Sequence, residues 1–321
     1  MAKGGLGRGL DEIYSKTEGP DLSSFVTEEK MPDSPRAAVI WMIFGSFCFG
    51  TMNALVKWTS DHTDVWMIIM VRSAVIAFAV AAFAASRGIS LKVNDHRTML
   101  LRCIVGLIAM ILYFTALGRI PIGQAVTLQY TGPLFVALLS GRILAERVSA
   151  SVASLVLTAF AGIVLIVSPE VGTVDPNALL ALGSGFFAAL AYMYVRELRK
   201  TDSPAIVIFW FAAFSVVGSI VQSAPHISEL DPNTIAALIG IGIGAGGGQV
   251  GITMAYHKAN AAWVSAFSYL TVLVATFYGF SLFGETLSLA DWLGGALVVG
   301  SGIALVFVFP PDEKSESGNA A

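Results

Sequence analysis

Apolar stretches of about 20 residues recur along the chain from residue 37 to residue 309, and short polar connections separate them. Each stretch is continuously apolar rather than alternating, and each is long enough to cross a hydrocarbon core of roughly 30 Å as an α-helix. The pattern predicts an all-α polytopic membrane protein with ten transmembrane helices. The predicted spans are Ala37–Trp58, Val65–Ser86, Met99–Leu117, Ile122–Leu144, Ser151–Ser168, Ala178–Leu198, Ala205–Ala224, Ile235–Tyr256, Ala261–Phe283 and Leu287–Phe309.

The two ends of the chain have a different composition from the spans. Residues 1–36 are rich in glycine and proline and hold no apolar run, which predicts a disordered cytoplasmic tail. This region lacks the apolar core and cleavage site of a secretory signal, so the first span is expected to act as an uncleaved insertion signal. Residues 310–321 are predicted to form a second cytoplasmic tail.

Composition supports a membrane protein and excludes several other classes. The chain is 55% hydrophobic and only 13% charged, whereas soluble domains carry about 25% charge. A net charge of -3 gives no basic surface for nucleic acid. Cys48 and Cys103 lie inside apolar runs, so we expect neither a disulfide nor a metal site, and no cofactor is indicated.

The positions of the basic residues predict the orientation. Of the 19 Lys and Arg residues, all but Lys57, Arg119 and Arg72 fall in the tails or in connections on one side of the predicted membrane, with Arg102 counted among the latter. By the positive-inside rule, both termini are expected in the cytoplasm, with the protein in the inner (plasma) membrane.

The second half of the chain repeats the first. At one constant offset Ala116 aligns with Ala255, Tyr130 with Tyr269, Glu146 with Glu285 and Ser149 with Ser288. Each half, 37–168 and 177–309, holds five spans, and an odd number gives the halves opposite orientations in the membrane. Inverted repeats around a central cavity are a recurrent plan of secondary transporters. Duplication for packing alone is the alternative.

The motifs of the repeat resemble a known family. The segments Ala116–Pro121, Pro133–Val136 and Glu146–Ser149, with a weaker copy at Phe283–Ser288, are similar to the EamA repeat of the drug/metabolite transporter superfamily. The resemblance extends over both halves and implies ten helices that work by alternating access. It leaves open the substrate, since members carry amino acids, vitamins, nucleotide sugars, S-adenosylmethionine and drugs. Val272 replaces Pro133 in the second repeat, so the fourth and ninth helices need not kink alike.

Arg72 is the main candidate for binding an anionic substrate. It lies about 10 Å into the second span by helical rise, where a charged side chain costs on the order of 2.5–3.5 kcal/mol on insertion scales. One interpretation is a handle that binds a substrate carboxylate bidentately. The other is a structural brace that bonds backbone carbonyls at helix ends.

Other polar and aromatic side chains are candidate cavity residues. Asn53 and Lys57 share a face of the first span, although Lys57 is equally suited to snorkel beside Trp58. Tyr130 and Tyr269 occupy equivalent repeat positions and are predicted to line the cavity as an aromatic pair. The remaining candidates, for which interhelical hydrogen bonding or packing is the alternative, are Gln124, Gln129, Gln249, Tyr113 and Trp210.

Acidic residues bear on energy coupling. Glu146 and Glu285 end the fourth and ninth spans, where each is expected to cap the helix that follows. No Asp or Glu falls in the middle of a predicted span, and proton-coupled carriers generally need such a group. We therefore favour exchange or facilitated movement over proton symport.

The glycine run Gly242–Gly247 satisfies G-x-G-x-x-G but lies inside a span, which excludes a dinucleotide site. Gly240, Gly244 and Gly248 recur every four residues, a spacing that predicts close helix packing.

Together the patterns predict a secondary transporter, acting as a monomer or homodimer, for a small carboxylate-bearing metabolite such as an amino acid. A carrier for a planar vitamin or nucleoside-like solute, such as riboflavin or S-adenosylmethionine, is the alternative. An anion channel and an intramembrane enzyme are the rival classes. The enzyme is disfavoured because no His or acid lies mid-span to activate a nucleophile.

Overall fold

The computed structural model describes residues 35–132, 134–135, 150–167, 174–198, 200–258 and 269–308. The described chain is built from α-helices joined by short connections, with a 3₁₀ helix at Ala224–Glu229. The helices are α1 Pro35–Thr59, α2 Val65–Arg87, α3 His96–Arg119, α4 Ile122–Gln129, α5 Ala150–Val167, α6 Pro176–Leu198, α7 Pro204–Ser223, α8 Pro232–Lys258, α9 Leu270–Phe283 and α10 Leu289–Val308. Apart from α4 and α9, these bounds agree with the predicted spans to within about three residues, and the predicted start of the ninth span, Ala261, lies outside the described residues.

Six helices are long and apolar enough to cross a membrane: α1, α2, α3, α6, α7 and α8. The apolar described segments of α5, α9 and α10 are shorter than a full span. The structure thus supports an all-helical multi-pass membrane protein.

The connections carry the chemistry that starts each helix. Asp64 caps α2 by accepting hydrogen bonds from the backbone N–H groups of Trp66 and Met67, at 2.7 and 2.9 Å. Proline begins α6 and α8, and the preceding Asp175 and Asp231 accept from backbone N–H groups two residues later at 2.8 Å. Proline suits this position because the first helical N–H has no intrahelical partner.

The fourth predicted span is not one continuous helix, which corrects the prediction of Ile122–Leu144. Helix α4 ends at Gln129, and Tyr130 and Thr131 form a turn. Pro133 has no N–H to donate to the carbonyl of Gln129, so the sequence itself weakens the helix here. The Thr131 hydroxyl donates to the Leu128 carbonyl at 2.6 Å, and the same carbonyl accepts from the Thr131 backbone N–H at 3.2 Å.

The helices pack in a pattern that is unchanged when the two halves are exchanged. The principal packing pairs are α1 with α8, α3 with α6, α2 with α7, α5 with α10 and α4 with α9. Exchanging α1–α5 with α6–α10 in order turns the α1–α8 pair into the α6–α3 pair and leaves the other three pairs unchanged. The halves are therefore related by an approximate twofold axis.

The same contacts show that equivalent helices run in opposite directions. Lys57, near the end of α1, reaches the carbonyl of Ile120 just beyond the end of α3, and Arg119 at that end contacts Asn177 at the start of α6, at 3.4 Å. Helix α1 therefore runs toward this end of the bundle and α6 runs away from it. We call it the first-loop end because residues 60–64 lie there, and the opposite end, with residues 88–95, the second-loop end.

Glycines of α8 bring its backbone against α1. A Cβ atom added at Gly251 would lie 2.6 Å from the Gly45 Cα, and one added at Gly244 would lie 3.0 Å from the Cys48 carbonyl oxygen. Added Cβ atoms at Gly240 and Gly248 would meet the side chains of Leu55 and Phe49. The close packing predicted from the four-residue glycine spacing is confirmed, and its partner is α1.

We predict that Gly251→Ala lowers the melting temperature of the purified protein in detergent, whereas Gly246→Ala on the same helix does not. The first methyl group would press on the backbone of α1, and an added Cβ at Gly246 meets nothing within 4 Å. Overpacking of this kind costs about 1–3 kcal/mol, or roughly 2–4 °C per kcal/mol for a chain of this size class. Equal melting temperatures for the two variants would contradict close backbone contact.

Candidate functional site

Buried polar side chains meet in the middle of the bundle. Tyr113 on α3 donates a hydrogen bond from its hydroxyl to the Asn53 Oδ1 on α1 at 3.0 Å. Both side chains are buried, with 2% and 8% of the surface of Asn53 and Tyr113 exposed. The structure therefore brings together two of the predicted site residues, and each satisfies a polar atom of the other.

The aromatic pair predicted from the repeat is present. The Tyr130 and Tyr269 rings lie with their centroids 5.7 Å apart at an interplanar angle of 54°. Tyr130 sits in the turn after α4, and Tyr269 occupies the turn just before α9. Both pack with the buried cluster that contains Tyr113. The pair thus lies where α4 ends and α9 begins, on the approximate twofold axis.

A glycine on α10 makes room for this pair. A Cβ atom added at Gly302 would collide with the Tyr269 hydroxyl oxygen and with its ring carbon Cζ. Gly302 therefore lets the Tyr269 ring lie flat on α10. Since glycine in a helix is otherwise unfavourable, its presence here has a direct packing reason.

The glutamines take the interhelical role that the sequence left open. Gln129 accepts a hydrogen bond from the Ser184 hydroxyl on α6. The Gln124 amide donates to the Ile166 carbonyl at 3.0 Å and to Asp291 at 3.3 Å. Gln249 is exposed on α8, away from the tyrosine pair.

Trp210 also lies apart from the tyrosine pair. Its indole N–H donates to the Leu91 carbonyl at 2.8 Å, in the connection between α2 and α3. The side chain is 41% exposed. It fastens α7 to the second-loop end of the bundle.

Arg72 lies inside the bundle, between α2 and α3. Its Nη1 contacts the Met110 sulfur at 3.3 Å, and its Cζ lies 5.9 Å from the centroid of the Phe114 ring. Its Nε is buried without a hydrogen-bond partner. None of the backbone carbonyls that the brace interpretation requires is among its described contacts. A thioether and a ring face are weak partners for a cation.

Lys57 and Glu285 form an ion pair that connects the halves at the first-loop end. The Lys57 Nζ lies 3.2 Å from a Glu285 carboxylate oxygen and donates to the Ile120 carbonyl at 2.8 Å. The other oxygen of Glu285 accepts from the backbone N–H of Ile122 at 2.8 Å. We call Lys57, Glu285, Ile120 and Ile122 the first-loop clasp.

This arrangement corrects the predicted role of Glu285. The sequence predicted a cap on the helix that follows it, α10, whereas the carboxylate caps the N-terminus of α4 in the other half. Its charge still offsets a helix dipole, but the partner is distant in the chain. The start of α10 is capped instead by a reciprocal pair, in which the Ser288 hydroxyl accepts from the Asp291 backbone N–H at 3.1 Å and the Asp291 carboxylate accepts from the Ser288 backbone N–H at 2.9 Å. Glu146, the other predicted cap, lies outside the described residues.

A second connection between the halves lies at the second-loop end. The carboxylate of Asp202 accepts from the backbone N–H groups of Asn94 and Asp95, at 2.8 and 3.2 Å. The Asn94 side chain donates to the Thr201 carbonyl at 2.7 Å. We call Asn94, Asp95, Thr201 and Asp202 the second-loop clasp.

The pKa of Asp202 lies below its ordinary value of 3.8. Burial raises this pKa, but hydrogen bonds from the Asn94 backbone, the Thr201 hydroxyl and the Asp95 backbone lower it by more. The folded protein therefore holds this carboxylate ionised more strongly than the unfolded chain does.

A cavity of about 640 Å³ opens at the first-loop end between α1, α8 and α9. Thr51, Trp58, Asn233 and Tyr278 contribute to its wall, which is otherwise apolar. The hydroxyl groups of Thr51 and Tyr278 lie 3.2 Å apart, within hydrogen-bond distance. None of the predicted site residues lines this cavity. Within the described ranges, no three His, Cys, Asp or Glu side chains lie together as metal ligands would.

Within the described residues, these observations define a multi-pass helical membrane protein whose two halves pack against each other in a pattern that is unchanged when the halves are exchanged. The profile of the EamA-like transporter family matches residues 36–168 and again residues 176–308. The chain belongs to this family, which confirms the resemblance found in the sequence.

Named relatives are transporters with different substrates. The chain is 28% identical over 275 residues to a pseudopaline exporter of Pseudomonas aeruginosa (strain UCBPP-PA14), a match that covers 85% of this chain and 97% of the relative. It is 26% identical over 271 residues to a riboflavin transporter of Vibrio cholerae, covering 83% and 91%. A crystal structure with 20% sequence identity matches with a TM-score of 0.59 over 85% of this chain and 97% of that chain. That likeness shows the fold alone.

The family and its relatives support a transporter of the drug/metabolite type, and the relatives' names do not agree on one substrate class. None of these names indicates amino acids.

We predict that the second-loop clasp makes the protein acid-labile. Because the folded pKa of Asp202 is lowered, its contribution to stability is complete at neutral pH and is lost as the pH falls through the folded pKa. Asp202→Ala should lower the melting temperature at pH 7. It should also make the melting temperature fall less between pH 6 and pH 3 than it does in the wild type. Glu197→Gln, which removes an exposed pair with Lys200, is the control and should behave like the wild type. If the melting temperature of Asp202→Ala fell between pH 6 and pH 3 as steeply as that of the wild type, the role assigned to Asp202 would be contradicted.

Proposed function

We propose that the protein is an inner-membrane carrier that moves a small carboxylate-bearing solute by alternating access. In this proposal all ten helices belong to the membrane domain and both termini are cytoplasmic, so the first-loop end faces outward and the second-loop end faces inward. The observation that carries the substrate class is Arg72, a buried cation with a weakly satisfied guanidinium inside an apolar bundle.

Arg72 has no carboxylate among its described partners. Guanidinium groups bind carboxylates through two parallel hydrogen bonds, while the described partners of Arg72 are a sulfur atom and a ring. Since a cation at this depth is costly in lipid, a bound anion would relieve that cost. The pseudopaline exporter among the relatives shows that the fold serves export as well as other transport.

A second candidate class is a planar solute such as riboflavin. The Tyr130 and Tyr269 rings lie at the end of α4 and the start of α9 and offer flat apolar faces. Relatives in Vibrio cholerae and Brucella anthropi are named riboflavin transporters, at 26% and 25% identity. In this alternative the tyrosine pair, not Arg72, determines binding.

In this proposal, the two clasps close the opposite ends of the bundle in turn, as alternating access requires. Each joins the first half to the second, and they lie at opposite ends of the bundle. Opening one clasp while the other stays closed would expose the interior to one side only. Rocking of one repeat against the other is the established way in which inverted repeats produce two such states.

We expect Arg72→Gln to weaken carboxylate transport at least tenfold, because a charge-assisted bond is worth about 1.5–3 kcal/mol. The measurement is counterflow of labelled mono- and dicarboxylates in proteoliposomes that contain equal amounts of folded protein. Arg72→Lys should retain part of the activity. Met110→Leu, which removes the sulfur partner and keeps the charge, should retain nearly all of it.

The same assay separates the two candidates and the brace. Loss of riboflavin counterflow in Tyr269→Leu, with carboxylates never transported, would favour the planar solute. Loss of folded protein in Arg72→Gln and Arg72→Ala, with normal transport by whatever protein remains, would favour the structural brace.

We expect an imposed proton gradient to drive no net accumulation in these proteoliposomes. In the described helices, Asp and Glu side chains occur at the ends, as Glu197 and Asp291 do, and the Glu285 carboxylate is held by Lys57 and a helix N-terminus. A carrier without a mid-helix acid has no obvious proton-binding step. Accumulation that follows the size of the pH gradient would contradict exchange or facilitated movement.

A further inference from the structure

Arg102 is a second cation inside the bundle. The sequence counted it with the charges of a connection, but the structure places it in the second turn of α3, which begins at His96. Its Cζ lies 3.9 Å from the centroid of the Phe211 ring on α7. Its Nε and Nη1 are buried and have no hydrogen-bond partner. Like Arg72, it lies over an aromatic ring.

The two guanidinium groups lie on neighbouring turns of one face of α3. The Arg102 Nη1 occupies the space where a Cβ atom of Gly106 would stand. The Arg72 Nη1 contacts the sulfur of Met110. Residues 106 and 110 are four apart and therefore share a helix face, about 6 Å apart along the axis. Two cations thus point at adjacent levels of the same surface.

No described acid balances this pair. In the described ranges, Lys57 with Glu285 and Lys200 with Glu197 are the ion pairs, and both lie elsewhere. The two like charges repel each other, and burial makes each more costly. Both residues nevertheless keep part of their surface exposed.

We propose that Arg72 and Arg102 form a two-cation site for a solute that carries two carboxylates. This inference rests on the proposed function, in which Arg72 binds one carboxylate, and it adds a second binding residue and a narrower substrate class. Each guanidinium group is planar and binds one planar carboxylate bidentately. Two guanidinium groups at neighbouring levels therefore suit two separate carboxylates better than one compact anion.

Gly106 positions the second cation. A Cβ atom there would collide with the Arg102 Nη1 and would lie 2.8 Å from the Phe211 ring carbon Cε2. Glycine is thus required if Arg102 is to extend along α3 toward Met110. Gly106→Ala would displace the guanidinium while leaving the charge in the protein, which separates the position of Arg102 from its charge.

The test compares glutarate with valerate, which have the same number of carbons but two carboxylates and one. Binding to the purified full chain is measured as the concentration of each acid that stabilises it against heat. We expect wild-type protein to bind glutarate about tenfold or more tightly than valerate. Arg102→Gln and Gly106→Ala should reduce glutarate binding to the valerate level and leave valerate binding unchanged. Arg72→Gln should lose both, and Gly246→Ala should bind like the wild type.

Other results overturn the inference. If Arg102→Gln keeps the preference for glutarate, or weakens both acids equally, Arg102 is structural. If the wild type binds both acids alike and depends on Arg72, the two-cation site fails while the proposed function stands. If neither acid binds to the wild type, both fail. Should Arg102→Gln not fold, Arg102→Lys and Gly106→Ala decide the question. Stabilisation by inorganic phosphate but not by glutarate would also overturn the proposal, because it would indicate a compact anion.

Discussion

The contact between α1 and α8 is the interaction on which the rest of the structure depends. Gly45 and Gly251 bring the two backbones together, and each helix comes from a different half. The twofold partner of this contact is the packing of α3 on α6. Among the described residues, the buried hydrophobic clusters draw their members from both halves. Because lipid is as apolar as the side chains, close packing of this kind takes over the role that the hydrophobic effect has in water.

Interlocked halves also explain where the polar groups lie. Hydrogen bonds that link the halves include Ser184 to Gln129, Gln124 to Asp291, and the two clasps. In lipid an unsatisfied polar group is costly, so these bonds hold the halves in register. Among the described residues, buried polar atoms without a hydrogen-bond partner include the Nε of Arg72, the Nε and Nη1 of Arg102 and the Oγ of Ser73. Buried cations with such atoms are what the proposed binding site for anions requires.

Local signals in the sequence predicted the features that depend on neighbouring residues. Span bounds follow from runs of apolar residues, helix starts from Asp-Pro pairs, and the glycine contact from a four-residue spacing. The Tyr130–Tyr269 pair was predictable because the repeat places both at equivalent positions. The turn at Tyr130 was missed, although Pro133 gave a signal for it.

Features that need a distant partner could not be predicted. Nothing near Glu285 in the chain shows that it caps α4, and nothing near Asp202 shows that it binds the backbone of Asn94. Arg102 was assigned to a connection because charges usually flank spans. A signal for its burial existed, since it falls inside the apolar run Met99–Leu117, but the aromatic ring of Phe211 that receives it lies on another helix.

The stacking of Arg102 on Phe211 reveals a difference between the two halves at equivalent positions. Phe211 is the eighth residue of α7, and Arg72 is the eighth residue of α2, the equivalent helix. The position that holds a cation in α2 therefore holds an aromatic ring in the equivalent helix α7. Were the halves identical, the two states of a rocking carrier would have equal free energies and equal populations. Substitutions such as this one lift that degeneracy, and about 1.4 kcal/mol shifts the ratio of the states tenfold. In the proposed alternating-access cycle, the unlike residues at equivalent positions would decide in which of the two states the protein rests.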